Sequence, residues 1–146
     1  METTTAIAKE QTKAQTGLRG HAVLMVGLLA IQYALGMITN LYVAFPETDQ
    51  ANQLWDYART QLPTLAHIVV GTLLLLSAIV YLIRAAGKSN RPWLGSAVVG
   101  ALGILIAYFG GVTFTSTQAD TYSLIMALGF IIGLVGYVWG LVVARR

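Results

Sequence analysis

The sequence predicts an all-α integral membrane protein: one four-helix bundle with up-down-up-down topology and both termini in the cytoplasm. Three observations predict it. The chain has 146 residues, 56% hydrophobic and only 10% charged, against about 25% charged in soluble domains. Four apolar runs, each bounded by polar or charged residues, match the roughly 20 residues that a hydrocarbon core of about 30 Å requires. Lys and Arg cluster before the first run, between the second and third, and after the fourth, whereas the other two connections hold only Arg59. Basic residues mark the cytoplasmic side, so all of these segments agree on one orientation.

At this length the chain is a single domain, residues 1–146. Residues 1–20 are polar, with Lys9, Glu10, Lys13 and Arg19. The first span runs over about 21–45. It is longer than the roughly 7–15 apolar residues of a secretory signal and is read as retained. Pro46 ends it, because its ring removes a backbone donor and clashes inside a helix. A polar loop follows with Glu47, Asp49, Asp56 and Arg59, and with Trp55 and Tyr57 as interfacial anchors. Pro63 suits a first helical turn and opens the second span, about 63–84. The link with Lys88 and Arg91 leads to the third span, about 93–113. Asp120 or Thr121 caps the fourth, about 122–144.

The basic charge sits beside apolar segments, where it sets topology, and gives no reason to expect a nucleic-acid partner. With no cysteine in the chain, disulfides, thiolate metal sites, iron–sulfur clusters and covalent c-type haem are excluded. Gly129, Gly133, Gly136 and Gly140 share one face of span four; Ser96, Gly100, Gly103, Ala107 and Gly110 share one face of span three. Small residues let membrane helices approach closely. The rows predict packing of spans three and four, with a lipid or cofactor groove, a homodimer or a membrane-protein partner as the other uses of such faces.

Polar side chains inside a span need a reason to be there. Gln32, Asn40 and His67 are the ones that stand out. Aligning the outer ends of the spans puts His67 level with Asn40, Met126, Gly110 and Gly111. His21 lies about 19 residues lower, roughly 28 Å at 1.5 Å per residue, so the two histidines cannot share one metal within a monomer. Imidazole and thioether both ligate haem iron, and glycines at that depth would admit a flat macrocycle. The depth match therefore offers His67 as a metal ligand, with Met126, Asn40, Gly110 and Gly111 around a haem b. The competing reading is a neutral His67 hydrogen-bonded to Asn40, with Met126 filling core. Gln32 is read as hydrogen-bonded to a neighbouring helix, and His21 as solvated at the cytoplasmic interface.

The string IQYALG, Ile31 to Gly36, followed by LAH ending at His67 and by an aliphatic helix closing in Arg84-Ala85-Ala86, resembles a helical hairpin of the haem A synthase family. The resemblance covers about 50 residues and implies that His67 is an axial haem ligand. The family's partner ligand is the histidine of a His-Arg pair, which this chain lacks, since His21 precedes Ala22. The chain also resembles small four-span bacterial inner-membrane proteins. Two functions follow: a b-type haem protein for electron transfer or haem handling, or a non-catalytic accessory or scaffold subunit of a membrane complex. No nucleophile–base pair at a shared depth suggests an enzyme.

Overall fold

The computed structural model describes residues 2–87 and 91–143, with side chains from residue 16 onward. Lys88, Ala144, Arg145 and Arg146, which carry part of the expected basic pattern and the end of span four, lie outside the described residues. The described residues are almost all helical, apart from the connection after Tyr42 and the turn at Gln118, with no strand among them. Its elements are α1 (Glu2–Tyr42), α2 (Ala51–Thr60), α3 (Leu62–Ala86), α4 (Arg91–Thr117) and α5 (Asp120–Val143). Four stretches are long and apolar enough to cross a membrane: Thr16–Tyr42 in α1, and the whole of α3, α4 and α5.

Two differences from the sequence reading matter. First, α1 is one continuous helix from Glu2 and ends at Tyr42, before Pro46. The Val43 N–H still bonds the Thr39 carbonyl at 3.0 Å, and the helix stops short of Phe45, whose backbone the following Pro46 keeps out of the helical region. Second, the loop after α1 contains a helix, α2. It buries Leu54 and Ala58, four residues apart on one face. The Trp55 Nε1–H donates to Ser116 Oγ at 2.9 Å, which ties α2 to the end of α4. Trp55, in the middle of α2, thus ties that helix to α4.

Helices α4 and α5 make the most extensive contact, followed by α1 with α3; α3–α4 and α1–α5 contacts close the ring. Each of the two main contacts is a heptad seam. In the α4–α5 seam Gly103 lies against Gly129 and Gly133, Gly100 against Gly136 and Tyr137, and Gly110 against Met126. Ser96, buried near the start of α4, donates its hydroxyl to the Gly136 carbonyl at 2.8 Å. The small-residue rows are therefore spent on each other inside the chain.

The α1–α3 seam is built from Leu18, Ala22, Met25, Leu29, Gln32, Gly36 and Thr39 on α1. It meets Thr64, His67, Gly71, Leu74, Ala78, Tyr81 and Ala85 on α3. Spacings alternate between three and four on both helices, as a heptad seam requires. Gly17 meets Arg84 at one end, and Gly36 meets His67 toward the other.

The turn between α4 and α5 is closed by Gln118 at φ 53°, a left-handed residue just past the end of α4. Its N–H bonds the Phe114 carbonyl at 2.7 Å. The buried apolar core is one-sided. Its members are Leu18, Ala22, Met25 and Leu29 of α1, Leu74 to Ala85 of α3, Trp93 to Ile104 of α4, and Tyr137. All belong to the half of the bundle that holds Arg84, here called the basic half. The half that holds α2, the loop half, buries Leu54 and Ala58 of α2 and is otherwise packed largely by glycines and polar side chains.

Candidate functional site: a polar half-seam between α1 and α3

His67 lies one turn into α3, and its partner is Gln32. The Gln32 Nε2 and His67 Nε2 atoms are 3.1 Å apart. The amide N–H donates, so the imidazole Nε2 lone pair accepts and the ring proton resides on Nδ1. Room for this pair comes from two glycines, each one helical turn from a polar residue. A Cβ on Gly36 would stand 3.0 Å from the His67 Cε1, and a Cβ on Gly71 would stand 3.0 Å from the Gln32 Nε2. The Gln32-x-x-x-Gly36 and His67-x-x-x-Gly71 pairs are thus reciprocal: each helix offers one polar side chain and one gap.

Both side chains keep a buried atom without a partner, Oε1 of Gln32 and Nδ1 of His67. The hydroxyls of Thr39, two turns beyond Gln32, and Thr64, one turn before His67, both toward the loop end, are also buried and unpartnered.

Of the residues expected around a haem, Asn40 is exposed and is not the partner of His67. Met126 does meet the two glycines. Its backbone touches Gly110, and its sulfur lies 3.3 Å from a Cβ placed on Gly111. That trio belongs to the α4–α5 seam, whereas His67 belongs to the α1–α3 seam. Within 4 Å, a Cβ on Gly111 meets nothing but that sulfur.

The residues as packed do not fit a haem. A metal needs a ring nitrogen with a free lone pair. On His67 that of Nε2 is taken by Gln32, Nδ1 carries the proton, and Gly36 of α1 closes on the ring edge. No group of three or more His, Cys, Asp or Glu that could hold a metal exists among the described residues.

His21, expected to be merely solvated, has two side-chain partners. The Arg84 Nη1–H donates to Nδ1 at 3.3 Å, which leaves Nε2–H to donate to Ser77 Oγ at 2.9 Å. Its ring also stands edge-on to Tyr81 at 5.1 Å. His21 and His67 thus brace the same helix pair at opposite ends. The signal that could have paired Gln32 with His67 was the heptad spacing that both residues share with their neighbouring glycines.

A comparison with known proteins finds no family model, no curated protein and no solved structure that matches the chain. The resemblance to a haem A synthase hairpin therefore rests on Ile31 to Gly36, His67 and Arg84 to Ala86 alone.

Proposed function

We propose that the chain is a multi-pass protein of the bacterial inner membrane, acting as a non-catalytic accessory or scaffold subunit. One observation carries this reading. His67, the side chain best placed to hold a cofactor, is committed to Gln32 and enclosed by Gly36. A partner subunit would meet the lipid-facing apolar side chains, such as Val69, Leu73 and Leu76 of α3, because the small-residue faces of α4 and α5 are occupied by one another.

The test is an absorption spectrum of the protein purified in detergent from haem-replete cells. The accessory reading expects no Soret band. A Soret band that vanishes in His67→Ala and persists in His21→Ala would instead establish the b-type haem protein. It would also require the Gln32 bond to open in the holo form.

The proposed topology is up-down-up-down with both termini cytoplasmic, on the distribution of Lys and Arg. Single cysteines at Gln50 and Gln118 are expected to react with an impermeant thiol reagent applied from outside the cell. Labelling of either from the cytoplasmic side alone would reverse the assignment.

A further inference from the structure

The Gln32–His67 bond leaves something over. Six buried side-chain polar atoms lack a partner among the described residues, and four of them line one stretch of one seam: Gln32 Oε1, Thr39 Oγ1, Thr64 Oγ1 and His67 Nδ1. The other two are the hydroxyls of Tyr81 and Tyr137, in the basic half. Turning the Gln32 amide over does not remove the excess, since either orientation leaves one atom of each side chain free.

In a membrane an unsatisfied polar group costs several kcal/mol, because lipid offers no hydrogen bonds. Four in register on one seam would be a heavy burden if that stretch were dry. From Leu29 and Leu74 toward the basic end the same seam is mostly apolar, with Met25, Ala78 and Ala22 buried and the Tyr81 hydroxyl as a single unpartnered polar atom among the described residues.

We infer that the loop half of the α1–α3 seam is a hydrated recess, a binding site for a short file of water molecules. It opens at Thr39 and Thr64 near the loop end, runs to Gln32 and His67, and stops on Leu29 and Leu74. From Thr39 to Gln32 is seven residues, about 10 Å along a helix. That length suits about three waters at hydrogen-bond spacing. A buried water makes about three hydrogen bonds, and the recess supplies them: hydroxyls that donate and accept, an amide oxygen that accepts and an imidazole N–H that donates. At the deep end Gly36 and Gly71 make room for the His67 ring and the Gln32 amide themselves, whose unpartnered Nδ1 and Oε1 end the file. The ligand class is small, neutral and hydrogen-bonding, since no carboxylate or ammonium stands among these four residues to balance an ion.

The chain has no cysteine, so single cysteines report wetness directly. Thiol modification by a methanethiosulfonate ethylammonium reagent proceeds through the thiolate, which forms only where water reaches. In nanodiscs, His67→Cys is expected to react at least about tenfold faster than Leu74→Cys on the seam floor, and than Val69→Cys on the lipid face, because only the first thiol ionises in water. Thr64→Cys is expected to react fastest of all. Equal, slow rates for His67→Cys and Leu74→Cys would overturn the inference.

A second measurement covers the case in which His67→Cys fails to fold. In a wet recess, Thr39→Val with Thr64→Val removes water partners and lowers the melting temperature or leaves it unchanged. A rise would mean that the hydroxyls are unsatisfied in a dry seam, and that no water is held there.

Discussion

Gly103→Ala is expected to break the α4–α5 seam, and Gly133→Ala to leave it intact. The two glycines face each other, yet their surroundings differ. A Cβ on Gly103 collides with the Gly133 backbone nitrogen and comes within 2.7 Å of the Gly129 carbonyl oxygen. Both obstacles are main chain, so no rotamer change relieves them, and the helices must separate. A Cβ on Gly133 instead meets the Ile104 Cδ1 at 3.4 Å and the Gly100 carbonyl at 3.6 Å, which is ordinary contact. Overpacking of a tight site costs about 1–3 kcal/mol and sometimes more, whereas alanine for glycine in a helix interior gains about 1 kcal/mol in propensity. Because both obstacles are backbone, the cost should sit at the upper end of that range, and Gly103→Ala should lose a net ~2 kcal/mol of stability in detergent, read as a clear drop in melting temperature. Gly133→Ala should melt at or above the parent. Gly129→Ala and Gly136→Ala should follow Gly103→Ala, since Cβ atoms there meet the backbones of Ala107 and Gly100. Equal melting temperatures for Gly103→Ala and Gly133→Ala would mean that these rows do not face each other.

The second large effect lies at Tyr137. Its ring fills the gap over Gly100 and stands edge-on to Tyr81 at 5.5 Å, fully buried in the basic half. Truncating a buried aromatic to alanine costs about 3–5 kcal/mol, so Tyr137→Ala should be among the most damaging single changes in the bundle. Tyr137→Phe should be neutral or stabilising, because the hydroxyl it removes has no partner and leaving a buried polar group unmade costs about 1–3 kcal/mol. Thermal unfolding of both variants separates the two contributions. Strong destabilisation by Tyr137→Phe would reveal a hydrogen bond to that hydroxyl.

The spans were legible because burial in lipid writes itself as hydropathy: four runs without charge, each closed by a polar or basic residue. The small-residue rows were legible for a related reason, since close helix contact excludes side chains at every third or fourth position. Helix α2 was not legible. It is ten residues long, carries Asp56 and Arg59, and declares itself only through Leu54 and Ala58 one turn apart.

The partner of His67 was misread because the alignment of depths counted Val43 to Phe45 as helix. With α1 ending at Tyr42, the residue opposite His67 is Gly36, not Asn40, a shift of four residues or about 6 Å. Asn40 also follows Thr39 by one position, which turns it about 100° off the seam. Gln32 then reaches the ring from the neighbouring turn. The match of Met126 with Gly110 and Gly111 holds, because it depends only on the short turn between α4 and α5. It came out on a different seam from His67, since depth gives a residue's level and not the side of the helix on which it stands.

The commitment of His67 to Gln32 is the hinge of the whole reading, and ring ¹⁵N shifts of histidine-labelled protein in nanodiscs test it most directly. His67 should be neutral, with the proton on Nδ1 and Nε2 accepting. Its shifts should move in Gln32→Leu and should be indifferent to added haem. His67 signals that ignore Gln32→Leu, or that are lost to a paramagnetic iron when haem is titrated in, would contradict it.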